Sequence, residues 1–185
     1  MPEVEKPKLT FKPVTKATWK DFEALFEAKG GPGYCWCMPF REIATADRSN
    51  NAAKKEAMKA RVAKRVPIGL VGYFNGEPVA WCSVGPRESF RAGLTDDYDP
   101  EEAGVWSVTC FFVRKELRGQ GLTEAMLEAA VAYARKRGAK VVEGYPVAES
   151  SPSYRFMGFL PLFRKAGFTK VGSAGSRRSV VRKEA

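Results

Sequence analysis

The chain has 185 residues, 44% of them hydrophobic and 12% aromatic, which fits one domain spanning residues 1–185 with a substantial buried core. Thirty-one Lys and Arg against 21 Asp and Glu give a net charge of +10, a balance that attracts phosphates and anionic cofactors, yet the basic residues are scattered and nucleic-acid binding is not expected. No apolar run approaches the ~20 residues of a membrane-spanning helix, no secretory signal is recognisable, and the absence of histidine excludes any Cys–His catalytic pair, so a soluble, cytoplasmic protein without membrane contact is expected.

In chain order, residues 1–8 are expected to be flexible. Leu9 to Pro13 (LTFKP) alternates as a strand, and Thr15 or Thr18 can cap a helix carrying Trp19, Phe22, Leu25 and Phe26 on one face, ended by Gly30 and Gly31. The loop that follows, GGPGYCWCMPFR, is dense in sulfur and aromatic surface. Asn50 to Arg65 is a strong helix former with few large apolar residues, hence a solvent-exposed helix or flap. Ile68 to Phe74 and Glu77 to Val84 flank Asn75-Gly76, whose positive φ angles suit a type I′ hairpin turn.

Val105 to Val113 (VWSVTCFFV) is apolar at both parities and reads as a strand covered on both faces. Leu122 to Arg137 places Leu122, Met126, Ala129, Ala130 and Tyr133 on one helical face, with Gly138 as its stop. Lys140 to Val147 is the next strand. Pro161 suits the first turn of a short helix, Leu160 to Ala166, and Phe168 to Val171 with Ser179 to Val181 can close the sheet as an antiparallel pair. The order predicts an α+β fold around a mixed sheet.

Chemistry concentrates where the strand Val105 to Val113 meets Arg118-Gly119-Gln120-Gly121 and the following helix. Glycines let backbone approach a ligand closely, and free N–H groups at a helix start favour phosphate. No P-loop or Rossmann spacing is present, while Arg114, Lys115 and Arg118 add positive charge. Strand, Val113 to Thr123 and amphipathic helix together resemble motif A of the GNAT superfamily of N-acetyltransferases, Q/R-x-x-G-x-G/A. Arg118, Gly119, Gln120, Gly121 and Leu122 match, and Thr123 stands where Gly or Ala is usual.

The resemblance implies a mixed, mostly antiparallel central sheet with helices on both faces, and acetyl-CoA bound in a cleft where two parallel strands splay apart. The pantetheine arm would run along Cys110, Phe111, Phe112 and Val113, the pyrophosphate would sit on Arg118 to Thr123, and Phe163 would pack beside the arm. An acceptor amine would attack the thioester directly, most simply on a small molecule. A protein Lys or N-terminus, or a silent CoA-binding regulatory module, are the alternatives, and a homodimer is possible.

The family often draws its base from the motif-A strand and its acid from a Tyr four residues before a Gly-Phe pair. Here that strand has no carboxylate and the Tyr position is Phe163. Glu143, the acid inside VVEGYPV, is the substitute base, although an ion-paired Glu on a sheet face would look the same. Tyr145 or Tyr154 is the candidate acid. Cys110 reads as a small buried hydrophobe.

For the acceptor, the resemblance points to GGPGYCWCMPFR, with Tyr34, Trp36 and Phe40 as one wall and Trp81 as another, unless these aromatics fill the core beneath a long connection. No metal is expected: Cys35-x-Cys37 has no second cysteine pair nearby and no histidine to complete a site.

Overall fold

Alternating apolar strands and two amphipathic helices assemble around one sheet in a computed structural model that describes residues 9–185; the expectation for residues 1–8 lies outside them. The strands are β1 (Leu9–Pro13), β2 (Gly69–Phe74), β3 (Glu77–Pro86), β4 (Val105–Val113), β5 (Val141–Gly144), β6 (Thr169–Ala174) and β7 (Arg178–Glu184), and the helices are α1 (Trp19–Glu27), α2 (Asn51–Ala63), α3 (Leu122–Lys136) and α4 (Leu160–Lys165). The sheet order is β1-β2-β3-β4-β5-β7-β6. Neighbours are antiparallel except β4 and β5, which run parallel.

Local chemistry explains most boundaries. Asn75 and Gly76 both adopt positive φ in the β2–β3 turn, as a type I′ hairpin requires. The Asn50 side chain accepts the Ala53 N–H and caps α2. Thr18 precedes α1 without capping it, because its hydroxyl instead donates to the Pro13 carbonyl. The α2 helix is more than a solvated flap, since Met58 and Val62 are buried against α1 and the sheet.

The two sheet faces carry different covers. α3 lays Met126, Leu127, Ala130 and Ala134 over Val84, Val108, Val142 and Val181, and α4 adds Phe163 to that layer. On the opposite face, Phe22, Leu25 and Phe26 of α1 pack with Trp36, Val71, Tyr73 and Trp81.

β5 is shorter than its apolar run suggests. Its ladder with β4 stops at Val108 and Gly144; Pro146 has no N–H to extend it, and Val147 bonds instead to Gly158 and Leu160. Phe163 lies so close to Gly144 that a Cβ there would come 2.3 Å from its ring. Gly144→Ala is therefore expected to destabilise the fold by about 1–3 kcal/mol through overpacking, measured by denaturant unfolding.

Candidate active site

Beyond Val108, β4 still pairs with β3 on one side but has no β5 partner on the other. Thr109 to Val113 therefore present a free backbone edge, and a cavity of about 740 Å³ opens along it. Its wall on the β4 side is Thr109, Cys110, Phe111, Phe112 and Val113; the facing wall comes from Tyr34, Cys35, Cys37, Pro39 and Phe40 of the long loop. Phe156, Phe159 and Leu162 close a third side, and Arg118 and Thr123 border the cavity where α3 begins.

At that end Gly119 and Gly121 have φ angles of 78° and 79°, with open space on the side where a Cβ would stand. Gly121 precedes α3 with no side-chain cap, so the N–H groups of the first turn are left for an outside acceptor. Arg118 is held in place by its Nε–H, which donates to the Val113 carbonyl at 3.0 Å. Gly119, Gln120 and Gly121 form an exposed turn, whereas the Leu122 side chain enters the core and leaves only its backbone to the site.

Six of the side chains expected at the site are elsewhere. Trp36, 3% exposed, stacks on Phe26 with ring centroids 5.3 Å apart, and Trp81, 0% exposed, packs on Phe22 and Phe26. Both are core residues rather than acceptor walls. Phe163 is fully buried between Phe111 and Phe168, and its neighbours Phe159 and Leu162 are the ones that line the cavity. Tyr154 lies in a separate groove with Arg177 and Arg178, the latter 5.1 Å above its ring.

Glu143 and Tyr145 belong to a buried ion-pair network beside the cavity and are not among its lining residues. Glu143, 1% exposed, accepts from Arg182 at 2.6 Å, from Arg87 at 3.3 Å and from the Tyr145 hydroxyl at 2.7 Å. Tyr145 also meets Ser107 at 2.6 Å, and burial pushes its phenol well above its ordinary pKa. A carboxylate with three donors and no opening to the cavity is a structural anchor: it ties β5, β7 and the turn after β3 together.

The cavity also contains three thiols, of which the sequence reading placed only Cys110 at the site, through its backbone. Cys35, Cys37 and Cys110 all line it. Burial pushes the Cys35 thiol up to about 11, and its Sγ donates to the Pro32 carbonyl. Trp36 and Cys37 have φ angles of 47° and 55°, two successive non-glycine residues in left-handed conformation. Such strain persists where surrounding packing enforces it. Here Trp36 stacks in the core, and Arg41 reaches back to the Cys37 carbonyl.

Comparison with known proteins agrees with this geometry. Residues 33–159 match the family model described as the acetyltransferase (GNAT) family. No curated sequence matches the chain. Among solved structures, aminoglycoside acetyltransferase AAC(6')-Ib in complex with coenzyme A is 16% identical at a TM-score of 0.59, covering 96% of this chain and 95% of that one. The protein yncA from Salmonella typhimurium, solved with acetyl-CoA, is 16% identical at a TM-score of 0.54 and covers 95% and 93%. An N-acetyltransferase from Staphylococcus aureus Mu50 is 13% identical at a TM-score of 0.56, covering 96% and 98%. At these identities the likeness is one of fold.

The ion-pair network has a measurable signature. Arg182, aided by Arg87, holds Glu102 below the ordinary carboxylate range. A carboxyl whose folded pKa is depressed contributes stability above its unfolded pKa and loses it as pH falls through the folded one. Melting temperature is expected to drop as pH is lowered from the ordinary carboxylate range downward, and Glu102→Gln is expected to flatten that drop in a thermal melt series.

Proposed function

Because the chain belongs to the GNAT acetyltransferase family, we propose that it is an acetyl-CoA-dependent N-acetyltransferase that passes the acetyl group directly to a primary amine of a small molecule. The observation that carries this reading is the free edge of β4 running along a cavity that ends at the uncapped start of α3. An extended amide-containing arm can bond to the backbone of Cys110 to Val113 as a strand would. Its phosphates can take the N–H groups of the turn 118–123, with Arg118 adding charge-assisted bonds. Bound acetyl-CoA supplies an activated thioester.

The composition of the walls narrows the acceptor. The charged residues lining the cavity are Arg118 and Arg155, and no carboxylate lines it among the described residues. A polycation would enter such a cavity without counter-charges, an unfavourable desolvation. An amine on an apolar or acidic body suits Phe40, Phe156 and Tyr34, the last 72% exposed at the rim. The aminoglycoside of the structural neighbour is therefore a poor guide to the acceptor here.

Acetyl-CoA is expected to raise the melting temperature, and thiol release across an amine panel is expected to favour monoamines with an apolar or carboxylate-bearing body over polyamines. Protection without turnover on any amine would favour a silent CoA-binding module, and no protection would refute the cofactor reading. Arg118→Ala is expected to raise the KM for acetyl-CoA about tenfold, the loss of one charge-assisted contact, with kcat nearly unchanged.

A further inference from the structure

Among the described residues the cavity wall offers the acetyl-transfer reaction no carboxylate base, and behind that wall lies a buried cation with no carboxylate partner. Arg41 is 2% exposed. Its guanidinium donates to the Cys37 carbonyl, to the Ile68 carbonyl at 2.9 Å and to the Ser83 hydroxyl at 2.8 Å, and lies 4.6 Å over the Phe90 ring. All of these are neutral, and no carboxylate pairs with Arg41 among the described residues. Buried charges are ordinarily paired, so a nearby group able to ionise is favoured to do so.

A second orphan lies at the same place. The Trp81 indole N–H is fully buried and has no hydrogen-bond partner. Around the Cys37 sulfur stand the Cys110 thiol, the Arg41 guanidinium, the Trp81 indole and the Ser83 hydroxyl, and each favours charge on it. A thiolate at Cys37 would satisfy both the unpaired cation and the unpaired donor. It would also be an anion open to the cavity, since Cys37 lines it.

Resting on the acetyltransferase reading above, the geometry points to Cys37, which lines the cavity beside Arg41 and Cys110, as the proton acceptor of the transfer site. The titratable groups facing it are Cys35 and Tyr34 on its own loop and Cys110 on β4, with Lys54 of α2 acting on Cys35; Cys82 of β3 packs on the opposite sheet face. The Cys110 thiol beside it pushes the Cys37 thiol down while Cys37 pushes that of Cys110 up, so of the two Cys37 is the one favoured as an anion.

The step balances simply. Cys37 Sγ takes one proton from the substrate ammonium, freeing the lone pair. The nitrogen then bonds to the acetyl carbon as the carbon–sulfur bond breaks, and its second proton leaves with the departing thiolate. Amide and coenzyme A thiol result, and the proton on Cys37 passes to water. A weakly basic thiolate suits this task better than nucleophilic attack, because on a thioester it would be the better leaving group.

The test has two readouts. In the full-length protein, iodoacetamide at about pH 6 is expected to label Cys37 ahead of Cys35 and Cys110 by peptide mass, because thiolates react and thiols do not. Labelling of Cys37 that appears only above about pH 8 would overturn the proposal.

In turnover assays, Cys37→Ala is expected to lower kcat by about 100-fold or more while the melting shift with acetyl-CoA persists. Cys37→Ser, closer in size, guards against a folding defect. Cys82→Ala, on the other sheet face, leaves kcat unchanged. Wild-type turnover with unaltered kcat and pH profile in Cys37→Ala and Cys37→Ser would sink the base while sparing the transferase. A wild-type protein that binds acetyl-CoA and acetylates nothing would sink both.

Discussion

The parting of β4 from β5 is the constraint on which the site depends. A parallel pair that continued past Val108 and Gly144 would satisfy its own backbone and leave no room for a ligand. Here the ladder is stopped on one side only: Pro146 cannot donate, Val147 is taken up by Gly158 and Leu160, and the Phe163 ring occupies the space against Gly144. β3 holds the other edge of β4 through Val113, with an irregularity opposite Ser83 and Val84 that leaves Thr109 out of the register. The result is a strand with one unpaired side, an arrangement stable only where something else can bond to it.

The second wall is fixed by different means. The loop from Gly30 to Arg41 has no ladder to define it, so its shape rests on two buried anchors at Trp36 and Arg41. Trp36 stacks into the core of α1, and Arg41 crosses to the Ile68 carbonyl and the Ser83 hydroxyl. Between these anchors the backbone turns left-handed at Cys37, which aims that thiol at β4. Packing and chemistry are thereby joined: the core residue is what holds the strained conformation that presents the reactive one.

Much of this was legible in the chain because it is local. The Asn75-Gly76 hairpin, the glycine turn before α3 and the apolar β4 each follow from a few adjacent residues and their φ preferences. What resisted was everything that depends on residues distant in sequence. Glu143 looked like a stranded acid in an apolar strand until Arg87 and Arg182, 56 and 39 positions away, closed around it. Phe163 and Leu162 differ by one position, and helix rotation rather than composition decides which meets the cavity. Trp36 and Cys37 alternate in the same loop, and no periodicity announces which of them faces inward to the core.

The sulfur in that loop was the visible oddity, and counting ligands argued against a metal without saying what else it served. Its meaning comes from charge rather than coordination. A protein of net charge +10 lines its cavity, among the described residues, with two arginines and no carboxylate, and it buries a further guanidinium behind the wall. In such surroundings the local field favours a thiol's anion against the cost of burial, and a thiolate is less strongly hydrated than a carboxylate. A carboxylate at the same point would bind Arg41 outright and be silenced, as Glu143 is by Arg87 and Arg182. A thiolate, larger and more weakly hydrogen-bonded, can neutralise the guanidinium and still exchange a proton with what enters the cavity.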